Sequence, residues 1–157
     1  MEEIELKEAK SKEAFQIAAV LFQEYANQLG VDLGFQNFSS EMASLEVQYA
    51  RPKGALFLAR NSSNDFLGCF AIRDFEGSIC ELKRMYLRKE ARGLGIGECM
   101  LKKAIEIGQQ LGYDRMRLDT LPSMHAAQTL YRKMGFYEIE PYRYNPIAGT
   151  KFLEIRL

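Results

Sequence analysis

Three glycines fall within five positions of the stretch ARGLGIGE, residues 91–98, between an apolar run and an amphipathic one. Glycine reaches positive φ without a Cβ penalty and lets the backbone approach a ligand closely. A helix N-terminus leaves several N–H groups unpaired and carries the positive end of the macrodipole. Strand, glycine-rich turn and helix in that order therefore make a cradle for a diphosphate. With Arg92 beside the glycines, a plain connecting turn is the weaker reading. Two nucleotide motifs of this kind do not fit. The dinucleotide pattern G-x-G-x-x-G begun at Gly93 needs a glycine where Glu98 stands, although Asp119 does end the next strand. Its strand should also open a doubly wound unit, whereas here an antiparallel hairpin precedes it. The P-loop needs a Lys and a hydroxyl that GECM lacks.

The flanking chain supplies the elements. IELKEA alternates as a short strand. From Ser11 to Leu29, Phe15, Ala18, Ala19, Phe22, Tyr25, Ala26 and Leu29 recur at helical spacing, and Gly30 ends the run. Ser39 or Ser40 caps a second predicted helix through Tyr49. GALFLAR and FLGCFAIRDF form a hairpin around NSSND. The strand SICELKRMYL does not keep period two: Leu82, Met85 and Leu87 share a face only if one residue is inserted near Lys83 or Arg84, which is the mark of a β-bulge. A helix from Ile96 through Leu111 stops at Gly112. The strand RMRLDTL follows, then the helix SMHAAQTLYRKM with Ser123 as cap and Gly135 as terminator. FYEIEPY and TKFLEIRL close the chain around the loop RYNPIAG. The order β-αα-βββ-α-β-α-ββ predicts hairpins around one right-handed parallel crossover.

Composition excludes several classes of function. The 157 residues suit one domain, 1–157, burying about two-thirds of its unfolded surface. Equal numbers of acidic and basic residues argue against a dominant electrostatic grip on nucleic acid or an anionic membrane. No window approaches the ~18 apolar residues of a membrane span, and the acidic opening MEEIELKEAK is no signal segment. Cys69, Cys80 and Cys99 show no C-x-x-C spacing and read as small buried hydrophobes in a reducing cytoplasm. With His125 as the single histidine, no metal site is expected.

Arg92-Gly93-Leu94-Gly95-Ile96-Gly97 resembles the R/Q-x-x-G-x-G/A signature of the GCN5-related N-acetyltransferase (GNAT) superfamily, and AAQTLYRKMGF is similar to its second signature in Ala127, Leu130, Tyr131, Gly135 and Phe136. One position departs: where the family often has an Asn that contacts the coenzyme, this chain has Met124. The resemblance implies an α/β (α+β) fold in a single GNAT-like domain. A mixed, mostly antiparallel, twisted sheet would have its central bulged strand splayed from a parallel neighbour, with about four flanking helices. It further implies acetyl-CoA as acyl donor, with the pantetheine arm lying along Met85, Tyr86 and Leu87 like an extra strand. The pyrophosphate would rest on the backbone of Gly93, Leu94, Gly95, Ile96, Gly97 and Glu98, with Arg92 adding charge.

By the same resemblance the Met85 N–H stabilises the oxyanion, Tyr131 is the general acid, and Glu81 within the bulged strand is a base through water. The reaction would be direct acetyl transfer to a primary amine in a ternary complex. Phe35, Phe38, Arg84, Tyr142, Arg143 and Tyr144 would line the acceptor pocket, which suits a small amine that also bears a carboxylate. Two alternatives stay open: a protein amine as acceptor, or a degenerate module that senses acetyl-CoA. A homodimer through the closing strands is the expectation by analogy.

Overall fold

Ser11 fixes where the first helix begins. Its side chain accepts a hydrogen bond from the Ala14 amide, and α1 (Lys12–Leu29) continues until Gly30 turns left-handed at φ 67°. The computed structural model describes residues 3–30, 33–34 and 37–157, so the expected pocket residue Phe35 lies outside the described residues. β1 (Ile4–Glu8) precedes α1. The single helix expected through Tyr49 is instead two, α2 (Phe38–Ala43) and α3 (Leu45–Gln48). Ser44 interrupts them at φ −148°, ψ 43°, and its hydroxyl donates to the Ser40 carbonyl at 3.0 Å. Such local bonding competes with the helical ladder.

β2 (Ala55–Asn61), β3 (Phe66–Glu76) and β4 (Ile79–Leu87) form an antiparallel meander. After a short 3₁₀ turn come α4 (Ile96–Gln110), β5 (Arg115–Thr120), α5 (His125–Lys133), β6 (Tyr137–Ile139) and β7 (Lys151–Arg156). Met124, not Ser123, occupies the N-cap of α5, and β6 is shorter than FYEIEPY suggests. Among the described residues the seven strands lie in the order β1-β2-β3-β4-β5-β7-β6, with β4 and β5 parallel. α4 and α5 cover one face through Phe57, Phe70, Ile72, Leu82, Met116 and Leu118; α1 and α3 cover the other through Leu56, Leu58, Cys69 and Ala71. Each such large side chain contributes about 1.5–3 kcal/mol on burial. Among the described residues no helix is long and apolar enough to cross a membrane. Cys69 and Cys80 are buried as expected, but Cys99 is exposed because it sits on the outer side of α4.

The break in alternation along β4 is a bulge. Cys69 faces Tyr86 and Ala71 faces Lys83, so two steps on β3 match three on β4, and Arg84 takes φ 57° to absorb the extra residue. The displaced Arg84 carbonyl accepts from the buried Cys69 thiol at 3.4 Å. Across from it, a Cβ on Gly68 would stand 2.4 Å from the Tyr86 carbonyl oxygen, so the bulge closes only against glycine. The bulge changes which side chains face α1: Glu81 and Lys83 do before it, Tyr86 after it.

Candidate active site

β4 and β5 pair only over Ile79–Glu81 and Arg115–Arg117. Beyond that they part, because the bulge turns β4 away while β5 stays paired with β7 as far as Thr120. The opening is a cleft of about 570 Å³, walled by Met85, Tyr86 and Leu87 on one side and by α5 on the other, and floored by the glycine turn. Gly93 and Gly95 both stand in the left-handed region, at φ 80° and 81°, and Gly95 is the N-cap of α4. The first helical hydrogen bond there runs from Cys99 N to Gly95 O, so the amides of residues 96–98 begin the helix without intrahelical partners.

The side chains of the turn divide. Arg92 lines the cleft, but its Nε donates to the Leu87 carbonyl and its Nη2 to Gln28 Oε1, both at 2.8 Å. Leu94 is 65% exposed on the far side and Ile96 is buried in the core, so neither side chain lines the cleft. Glu98 joins Lys133 at 3.2 Å and Lys102 at 3.6 Å, tying α4 to α5; these contacts hold its carboxyl below the usual range.

Tyr131 stands where cleft and core meet, 5% exposed, its ring 5.6 Å from that of Phe136. Burial, with Tyr25 and Asp119 nearby, pushes its phenol well above the usual value and keeps it protonated. Met124 also lines the cleft, and Thr120 Oγ1 lies 3.9 Å from its sulfur. Gln128 Nε2 donates to the Leu121 carbonyl at 2.7 Å, which sets the β5–α5 turn.

A narrow pit continues from the cleft through the sheet opening, lined by Lys83, Arg84, Met85, Asp119, Tyr131 and Asn145 among others. Arg84 grips Glu41 through Nε at 3.0 Å and Nη2 at 2.7 Å, beneath the Phe38 ring. Burial lowers Lys83 to about 8, against the opposing pull of Glu81. Behind the pit a row of alternating charge crosses four strands in register: Arg73, Glu81, Arg117 and Glu154. Glu81 is fully buried there. Its Oε1 accepts from Arg73 Nε at 3.1 Å and Arg143 Nη2 at 2.7 Å, and its Oε2 accepts from the Tyr142 hydroxyl at 2.8 Å. Tyr142 packs edge-on against Phe75 and Phe152. Tyr144, expected in the pocket, is instead 75% exposed, since the loop turns its ring outward. Asp119, which the sequence does not mark as a pocket residue, lines the pit from the end of β5, beyond the point where the parallel neighbour leaves.

The profile of the Acetyltransferase (GNAT) family matches residues 17–136. An uncharacterized N-acetyltransferase of Schizosaccharomyces pombe is 40% identical over 139 residues, 88% of this chain and 85% of that protein. An IAA acetyltransferase of Azospirillum brasilense is 32% identical over 112 residues, 70% of this chain and 73% of that protein. Among solved structures, a GNAT-family acetyltransferase of Staphylococcus aureus superposes with TM-score 0.81 at 22% identity over 98% of this chain and 99% of that one. Another, from Elizabethkingia anophelis with acetyl-CoA bound, gives TM-score 0.65 at 19% identity, covering 98% of each chain. The chain belongs to the GNAT family and is an acetyltransferase. Acetyl-CoA is the acyl donor of that family.

Proposed function

We propose that this acetyltransferase moves the acetyl group of acetyl-CoA to a primary amine of a small molecule, by direct attack within a ternary complex. The observation that carries the reading is the parting of β4 from β5, which sets the Met85 backbone and Tyr131 on opposing walls where cleft and pit join. A pyrophosphate-bearing donor fits the residues present: two left-handed glycines and the unpartnered amides of a helix start offer N–H donors without side chains in the way. In this reading the pantetheine amides pair with β4, and Arg92 leaves the Leu87 carbonyl to meet the pyrophosphate. The Met85 N–H polarises the thioester carbonyl and holds the developing oxyanion. Tyr131, protonated in its buried place, gives its proton to the leaving thiolate. Glu81, Arg73, Arg143 and Tyr142 form the rigid back of the acceptor side.

The narrowness of the pit and the relative named IAA acetyltransferase both favour a small acceptor over a protein amine. Lys83 along it suits an acceptor that also carries a carboxylate, whereas Arg84 is already held by Glu41. Calorimetry with acetyl-CoA, with NAD as control, followed by thiol release with L-aspartate, spermidine and a peptide N-terminus, tests the reading. Saturable acetyl-CoA binding and turnover with a small amine support it. Turnover with the peptide alone shifts the acceptor to proteins, binding without turnover leaves a sensor, and no binding removes the proposal.

A further inference from the structure

We propose that Asp119, rather than Glu81, takes the proton from the acceptor's ammonium; the inference rests on the transfer reaction above. The two carboxylates lie on neighbouring strands and differ in what surrounds them. Glu81 is fully buried, both its oxygens already accept from two guanidiniums and a phenol, and it lines neither the cleft nor the pit. Taking up a proton there would break those contacts and would first require a path to the amine.

Asp119 is half-buried, past the point where β4 leaves, and it is the one carboxylate among the described residues that lines the pit beside Met85 and Tyr131. Its backbone is fixed against Phe152 of β7. Among the described residues its carboxylate accepts a single hydrogen bond, from Asn145 Nδ2 to Oδ2 at 3.3 Å, a long one that leaves acceptor capacity. Tyr25 from α1, Lys83 from β4, Tyr131 from α5 and Tyr142 from the closing loop all lie within its electrostatic reach, and Arg84 shares the pit. The partial exposure of Asp119 gives the proton an exit to solvent.

The step balances. The ammonium gives one proton to Asp119, and the neutral nitrogen's lone pair forms the bond to the acetyl carbon. The C–S bond breaks with its electron pair on sulfur, which takes the Tyr131 proton. The second nitrogen proton restores the phenol, and Asp119 passes its own to water. Amide, thiol and one released proton result.

The test compares Asp119→Asn and Glu81→Gln with two nucleophiles: whichever panel amine the wild type acetylates, and hydroxylamine, which is already neutral at pH 7 and needs no base. Asp119→Asn should lose about 100-fold or more in kcat with the ordinary amine. It should keep hydroxylamine turnover within a few-fold, recover as pH rises, and bind acetyl-CoA as the wild type does. Formate added to Asp119→Ala should restore part of the rate. Glu81→Gln, if its role is structural, should lose equally with both nucleophiles. Equal loss with both in Asp119→Asn, or a loss confined to the ordinary amine in Glu81→Gln, would overturn the assignment. Silence of the wild type with every nucleophile would instead remove the transfer reaction, and this proposal with it.

Discussion

Met85 follows the bulge of β4 and lines both cleft and pit, and a buried ion pair anchors Arg84 at the bulge, so removing Glu41 tests how far site geometry depends on that pair. Glu41 and Arg84 have side chains only 4% and 3% exposed, and the carboxylate receives two bonds from the guanidinium plus the Tyr49 hydroxyl at 2.8 Å. Deleting one member of a buried ion pair costs about 3–5 kcal/mol. For a domain of this size each kcal/mol moves Tm by about 2–4 °C. Glu41→Ala should therefore lower Tm by roughly 6–20 °C, read by calorimetry or circular dichroism. It should also lower kcat in the surviving fold, because α2 no longer presses Arg84 against the sheet.

The pH dependence has a definite sign. Burial would raise the Glu41 carboxyl, but the bonds and charge of Arg84, with Tyr49 and Lys83, outweigh it and hold the group below its ordinary value of 4.5. The native form thus binds its proton less readily than the unfolded chain. The contribution is present above the unfolded value and fades as pH falls through the folded one. Wild-type and Glu41→Gln stability curves should converge in acid. A Tm change under about 2 °C in Glu41→Ala would refute the reasoning, since the guanidinium would then have found water at no cost.

Gly68→Ala places a Cβ against the Tyr86 carbonyl and should cost about 1–3 kcal/mol, read as a lower urea midpoint; an unchanged midpoint would mean the bulge can relax. Gly95→Ala meets no neighbour but must hold φ 81°, so stability should fall by about 1–2 kcal/mol and acetyl-CoA affinity with it. Equal affinity in calorimetry would separate the turn from ligand binding. Tyr131→Phe should bind acetyl-CoA normally yet lose most turnover, and the wild type should show no alkaline loss from this phenol near pH 9, because burial raises it.

Much of the fold was legible along the chain because its signals are local. Ser11 and Gly30 bound α1 by cap chemistry, and the glycines at 93 and 95 announce left-handed backbone before a helix. Even the bulge was readable, since one extra residue shifts a period-two pattern at a definite place near Arg84. Where competing local options are nearly equal, the sequence misled. Ser44 splits the second helix by bonding Ser40, and the cap of α5 falls on Met124 rather than Ser123.

The different surroundings of the two carboxylates, Glu81 and Asp119, lay beyond sequence. Glu81 meets Arg73 across a hairpin, but Tyr142 and Arg143 reach it from 61 and 62 residues away, through a loop that returns over the sheet. Motif spacing assigns a residue type to a strand; it does not say which distant donors will surround it. The sequence by itself determined the strand–turn–helix cradle and the bulge, because backbone geometry is set by the residues that adopt it. Only the tertiary structure decided that Glu81 is enclosed by charge and Asp119 faces the opening, because burial and partnership are properties of space and not of order along the chain.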